Sequence, residues 1–522
     1  MTYHKWIERF ASLTPETRAN LHRKILVLNR QPLISVILPV YNSDLKFLER
    51  AVASVRRQIY ENWEVCVADD ASTDLRIKPF LRKLTGEDPR IKVLFRDKNG
   101  HISACSNSAL SLARGEWCAL LDQDDELAED ALAEVAREIT RNPDAAIIYS
   151  DEDFLDANGA RSNPFFKPDW NPELFLAQNY LNHLGVYRTS LLHEIGGFRE
   201  GFEGSQDYDL ALRCIARVRS EQIRHIPRIL YHWRMVRGSL ADQPDAKPYA
   251  RHAARRALNS FLQGRGIAAH AEACPQNAES HRVVYQLPNP LPKVTVISSA
   301  ETDELKRAQY PGLEIIRMPP GAAAMNAGAA RAQADVLVFA RRPIAAMENG
   351  WLQEIVSHVV RPEVGAVGAR LWSPEGDMED GGLILGLGGI AAPPFRGLQR
   401  EHPGYFNRAW LQQNYSAVSS ACLAVRRSVF AEAGGFDAAN LPHHFYDVDF
   451  CLRLEEKKLR MVWTPYADLT LSASGTGEGA DASQEAGYMQ KRWGERLRRD
   501  PCYNPNLSLD PPGFTLAIPP RI

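Results

Sequence analysis

Five short apolar runs, each closing on polar or acidic residues, dominate the first third of this chain. They are Leu33–Leu38, Glu64–Ala68, Ile91–Phe95, Trp117–Leu121 and Ala145–Tyr149. Runs this short and this apolar are buried strands. Between the first two, Phe47, Leu48, Ala51, Val52 and Val55 recur on one face of a helix starting near Asp44, and further helices are expected over about 103–113 and 130–141. Strand and helix alternating at this spacing fold as an α/β unit with a mostly parallel sheet covered by helices. Ligands of such sheets bind beyond the carboxyl ends of the strands. That edge gathers Tyr41, Asp69, Asp70, Asp122, Asp124 and Asp125 into one crevice.

Ahead of the first strand, Trp6, Ile7, Phe10 and Leu13, then Leu21, Ile25 and Leu28 after Pro15, give a helical extension over 1–31. The second half repeats the first. Gly196-Gly197-Phe198 matches Gly434-Gly435-Phe436, and Asp207-Tyr208-Asp209 matches Asp447-Val448-Asp449. Lys293–Ser298 then plays the first strand and Asp335–Phe339 the fourth. The expected domains are 32–270 and 293–505, joined by a Pro- and Asn-bearing linker over 271–292 and followed by a tail over 506–522. Between Ser299 and Met325 there is too little chain for the full strand-helix-strand front.

Composition removes several classes. The 522 residues carry 62 basic against 64 acidic side chains, a formal net charge of -2, which argues against a nucleic-acid binder acting through global positive charge. No uncharged apolar run reaches about 18 residues, so no membrane span is expected. The charged start Met1-Thr2-Tyr3-His4-Lys5-Trp6 lacks the apolar centre of a signal peptide. Eight Cys with no C-x-x-C pair suit reduced thiols and give no zinc signature. These features predict a cytoplasmic protein, at most peripheral at the inner face of the cell membrane.

The sharpest chemical signal is Asp122-Gln123-Asp124-Asp125-Glu126. Carboxylates crowded at a strand end repel one another unless a cation is there, and Mg or Mn held by one or two of them, with diphosphate oxygens and water completing the shell, fits the pattern. A solvated turn capping the next helix is the competing reading. Neither G-x-G-x-x-G nor G-x-x-x-x-G-K-[ST] opens the first helix, which removes dinucleotide and P-loop chemistry. Asp207 at the start of an amphipathic helix reads either as a cap or as a general base facing the crevice. Asp151-Glu152-Asp153 reads either as an acceptor-side lining or as a solvated turn.

Pro39-Val40-Tyr41-Asn42, the Asp69-Asp70 pair, Asp122-x-Asp124-Asp125, and Gly196-Gly197-Phe198 followed by Gln206-Asp207-x-Asp209 together resemble family-2 glycosyltransferases of GT-A fold, over about Leu33 to Ile267. The resemblance implies a metal-dependent, inverting hexosyl- or deoxyhexosyltransferase. Pro39, Tyr41, Asp70, Asp122, Asp124 and His232 would bind the nucleotide sugar (UDP or dTDP type), Asp124 or Asp125 would hold Mn or Mg, and Asp207 would be the base. Gln206 stands where the family often has Glu. The acceptor would be a glycan or a lipid-linked group, in surface polysaccharide (O-antigen, capsule or cell wall) biosynthesis. A sugar nucleotidyltransferase lacks its glycine-rich loop here, while a non-catalytic saccharide-binding scaffold and a bifunctional transferase are the alternatives. In the second domain Arg341, Arg342 and Pro343 replace Asp122, Gln123 and Asp124, and Leu469–Ser472 offers no His, so it resembles a degenerate copy.

Overall fold

A computed structural model describes residues 1–235, 248–299, 305, 308–347, 349–472 and 481–522. The chain divides into two compact units. One comprises Met1–Trp170, Asn179–Ile267 and Ile522, the other Asn171–Gln178 and Ala268–Arg521.

The first unit is built on nine strands: β1 (Ile34–Val40), β2 (Trp63–Asp69), β3 (Ile91–Phe95), β4 (Trp117–Leu120), β5 (Glu126–Leu127), β6 (Ile147–Leu155), β7 (Arg161–Phe165), β8 (Gly185–Arg188) and β9 (Ile223–Arg234). Their order is β3-β2-β1-β4-β8-β6-β9-β5, with β7 on β6. The first four run parallel, as the apolar runs predict, with Val36 opposite Val65 and Ile37 opposite Leu120. The sheet as a whole is mixed rather than mostly parallel, because β8 enters antiparallel between β4 and β6. The core packs Ile34, Val36 and Leu38 of β1 against Leu48, Val52 and Val55 of the helix Leu45–Arg56, which starts where the Asp44 carboxylate accepts the Lys46 N–H. Within the N-terminal extension, Tyr3–Trp6 and Pro15–Leu26 are α-helical, and Trp6, Leu21 and Ile25 are buried.

The second unit carries β10 (Ala269–Cys274), β11 (Asn277–Tyr285), β12 (Val294–Ser298), β13 (Leu313–Arg317), β14 (Val336–Ala340), β15 (Ile344–Met347), β16 (Val364–Trp372), β17 (Met378–Asp380), β18 (Ile384–Leu385), β19 (Ala391–Ala392), β20 (Gln413–Tyr415), β21 (Leu423–Arg426) and β22 (Arg460–Leu471). Its main sheet runs β13-β12-β14-β21-β16-β22-β15, with β17 on β16 and β20 on β22. Apart from the added β20, this order repeats the first sheet without a counterpart of β3 among the described residues, and antiparallel β21 sits where β8 does. The internal repeat read from Gly-Gly-Phe and Asp-x-Asp is therefore a repeat of topology.

Three expectations are corrected. Residues 271–292 are not simply a linker: β10 and β11 form an antiparallel hairpin in the second unit, because Ala271, Cys274, Val283 and Tyr285 alternate inward. The tail after 505 is also part of that unit, with Leu507 and Ala517 buried. Third, the fifth strand runs on to Leu155, so Asp151, Glu152 and Asp153 lie within it and are buried; they are neither a turn nor solvated.

Candidate active site

Pro39 at the end of β1, Asp122 just past β4, and Asp207 at the start of the helix Gln206–Ile215 line one open cleft. Gln206, Tyr231 and His183 complete its polar wall. The structure thus brings three of the expected residues together from chain positions 168 apart at the extremes (207 − 39).

The Asp122–Glu126 turn is held from β9. The Tyr231 hydroxyl accepts the Asp122 N–H at 3.3 Å and donates to Asp125 Oδ2 at 2.6 Å. The Arg234 N–H donates to Asp125 Oδ1 at 2.7 Å, its Nε donates to the Asp124 carbonyl at 2.8 Å, and its guanidinium pairs with Glu126. Asp125 is fully buried, and burial, reinforced by the charges of Asp124 and Asp122, holds its carboxyl well above the usual carboxylate range. Asp125 therefore braces the turn from inside, whereas Asp122 and Asp124 are both partly exposed. Among the described residues no group of three or more His, Cys, Asp or Glu side chains is arranged to hold a metal ion. One or two hard carboxylates, with the remaining ligands from water and diphosphate, is the arrangement Mg or Mn takes at such sites, so the donor set fits.

Tyr41 is exposed, its backbone clamped by Gln123, whose Oε1 accepts the Tyr41 N–H at 2.9 Å. Asn42 sits at φ +44°, tolerated by Asn, and its Oδ1 accepts the N–H groups of Thr73 and Asp74, which ties the loop after β1 to the loop after β2. Asp70 is buried, ion-paired to Arg96 at 2.7 Å and accepting the Gly100 N–H at 3.0 Å, so it shapes the wall rather than opening to solvent. His232 lies outside the cleft lining, with Nδ1 2.6 Å from Asp153 Oδ1. Asp153 also takes the Tyr3 hydroxyl at 2.6 Å and Arg161 Nε at 2.6 Å.

Asp207 is half-buried and accepts from Asn179 Nδ2 at 3.1 Å. Burial raises its carboxyl above the usual range, while the positive charge of His183 and backbone N–H groups at the helix start act the other way. A carboxylate made more basic by burial and facing a cleft is equipped to take a proton.

His183 is the residue the sequence reading missed. Its Nδ1 lies 2.8 Å from Glu152 Oε2, the same oxygen accepts its backbone N–H at 2.8 Å, and its ring stacks on Tyr231 at 4.5 Å between centroids. Burial alone would lower its pKa, but Glu152, then Asp122 and Asp125, lift it to about 9. Each acid of β6 thus has a histidine partner: Asp151 with His225, Glu152 with His183, Asp153 with His232. A signal existed in the polar pair Asn182-His183 just ahead of a strand.

In the second unit the corresponding positions differ in kind. Arg341 follows β14 as Asp122 follows β4, and Asp447 accepts both the N–H (2.7 Å) and the hydroxyl (2.8 Å) of Ser420. In the second sheet Arg370 faces Asp468 across β16 and β22 and forms an ion pair with it.

Residues 35–196 match the family model described as Glycosyl transferase family 2. The chain is 38% identical to the uncharacterized protein y4gI of Sinorhizobium fredii, over 99% of this chain and 62% of the relative. It is 34% identical to the O-antigen biosynthesis protein RfbC of Myxococcus xanthus, over 92% of this chain and 41% of the relative. The chain therefore spans about two fifths to three fifths of the length of these relatives. Among solved structures, that of S. aureus TarS 1-349 in complex with UDP-GlcNAc matches 44% of this chain and 71% of its own at a TM-score of 0.35 and 22% identity. Among the described residues no helix is long and apolar enough to cross a membrane.

Proposed function

We propose that the first unit, whose residues 35–196 match the Glycosyl transferase family 2 model, transfers a sugar from a nucleotide diphosphate sugar to a hydroxyl of a glycan or lipid-linked acceptor, with inversion. The single observation carrying this reading is the cleft that holds Asp122 and Asp207 together. Asp207 takes the proton of the acceptor hydroxyl as its oxygen forms a bond to the anomeric carbon; the bond from that carbon to the diphosphate oxygen breaks, and the electron pair leaves with the diphosphate. Asn179 keeps Asp207 oriented. Asp122 and Asp124 would hold a divalent cation, which when bound supplies positive charge to the departing diphosphate. Tyr41, exposed on a loop braced by Gln123 and Asn42, would lie against the base, Pro39 forms the adjoining wall, and Asp70 and His232 act through the loops and strand that they hold.

A relative named for O-antigen biosynthesis supports surface polysaccharide as the product class. Transfer is assigned to the first unit alone, since Arg341 and Pro343 offer no carboxylate where Asp122 and Asp124 stand, and Asp447 is spent on Ser420. The test is a panel of nucleotide sugars scored for nucleoside diphosphate release with mixed glycan acceptors and Mn. Release from one donor that disappears in Asp207→Asn supports the reading; no release from any donor under these conditions counts against it.

A further inference from the structure

The cleft carries one feature that metal-centred chemistry does not use: an imidazole held by the buried carboxylate of Glu152. We propose that His183 is a direct ligand of the donor's diphosphate, a protein-borne cation beside the metal position; the inference rests on the reading of the cleft as a nucleotide-sugar site.

The argument is geometric. His183 lines the same cleft as Asp122 and Asp207, so it borders both the place where a diphosphate would meet the carboxylate turn and the place where the acceptor would meet the base. Its orientation is over-determined. Glu152 Oε2 takes both the ring Nδ1 and the backbone N–H, the face of the ring lies on Tyr231 with planes 17° apart, and Trp233 flanks it at 5.4 Å. The buried Lys167 ammonium donates to the carbonyls of Asn182 (2.7 Å) and His183 (2.6 Å), fixing the main chain as well. With Nδ1 committed to Glu152, Nε2 is the ring atom left to donate, and the side chain keeps 17% of its surface exposed at the cleft. A buried histidine required only for packing does not need a carboxylate, a stacking ring and a lysine to hold it at the border of an open cleft. The pairing with Glu152 also favours the charged imidazolium, which donates a charge-assisted hydrogen bond to a phosphate oxygen. Such a bond preorganises positive charge where negative charge develops on the leaving group.

The test is titration calorimetry of the full chain with UDP, GDP, uridine and guanosine, in EDTA and again in Mn, on the wild type, His183→Gln and His183→Lys. Gln keeps a donor for Glu152 but not the charge; Lys keeps the charge. Near-ultraviolet circular dichroism checks that each variant retains its tertiary structure. The expected result is about tenfold weaker binding of the preferred nucleoside diphosphate by His183→Gln in EDTA, an unchanged affinity for the matching nucleoside, and recovery to within about threefold in His183→Lys. Equal diphosphate affinity in wild type and His183→Gln overturns the inference and leaves the cleft assignment intact. Equal losses for nucleoside and diphosphate also overturn it, in favour of a purely structural histidine. A wild type that binds none of the four, with or without Mn, overturns the cleft reading and the inference with it.

Discussion

The Tyr231 hydroxyl lies 2.6 Å from Asp125 Oδ2 while accepting the backbone N–H of Asp122, so one phenol on β9 both holds the inner carboxylate and fixes the main chain at the outer one, Asp122. Removing Asp125 leaves Tyr231 and the Arg234 N–H without their acceptor in the interior, at about 1–3 kcal/mol for each. Asp125→Ala should lower the urea midpoint markedly, whereas Asp124→Ala should hardly move it but should abolish Mn-dependent nucleotide binding. Equal midpoints for the two variants would contradict the division between brace and ligand.

Asp207→Asn should retain donor binding and lose about 10²–10⁴-fold in transfer, the usual contribution of a general base. Initial-rate measurements of kcat and KM decide it. A loss confined to KM would assign Asp207 to binding.

Asp447→Asn should leave transfer within about twofold of wild type, because Asp447 serves Ser420 within its own unit. A second linkage in the product, lost only in this variant, would make the chain bifunctional.

His225 sits between Asp151 and Asp169, at 2.9 and 3.0 Å, and although its burial acts to lower its pKa, these carboxylates raise it to about 9. Its folded pKa exceeds the free value of about 6.5, so its contribution to stability is complete below about pH 6.5 and drains away as pH rises through 9. The urea midpoint of the wild type should fall across that window, and His225→Gln should show a shallower fall. An unchanged slope would mean the histidine is neutral in the fold.

Glu173 is gripped by Arg361 at 2.7 Å and Arg460 at 3.1 Å; burial opposes ionisation, but the two guanidinium groups hold its pKa at about 2. A depressed carboxyl gives stability that is present above the free value of about 4.3 and lost as pH falls towards 2. Glu173→Ala removes the acid shared by Arg361 and Arg460, leaving them Glu363, and should cost about 1–3 kcal/mol at neutral pH. Chemical denaturation of the variant at pH 7 and of the wild type from pH 5 downward checks both.

The parallel half of the first sheet was readable because β1, β2 and β4 are buried on both faces and spell that out as predominantly apolar runs. The carboxylates at their ends were readable for the same reason: an Asp directly after such a run marks the carboxyl edge. What escaped was everything contributed by β8 and by the far end of β6. A strand that enters antiparallel places its first residues, not its last, on the functional edge, so a search along strand ends passed over Asn182 and His183. The acids Asp151, Glu152 and Asp153 could be read either as a lining or as a solvated turn because three consecutive acids rarely occur inside a strand; they are accommodated by His225, His183, His232, Lys167 and Arg161. The hairpin over 269–285 was hidden by its own brevity, with four inward apolar residues spread among Pro, Asn and charged neighbours.

The eight residues Asn171–Gln178 lie within the first half of the sequence yet fold as part of the second unit, where the Asn171 side-chain amide donates to the Asn414 carbonyl and Leu174 and Phe175 are fully buried. The boundary in space is therefore not a boundary in the gene. A cut anywhere between 267 and 293 yields a front piece bearing an unsatisfied apolar helix and a back piece with a hole lined by Asn414, Arg361 and Arg460. Recombination between tandem proteins of this kind could exchange the halves only together with that embedded helix. The two copies left by the duplication are in this sense no longer separately heritable.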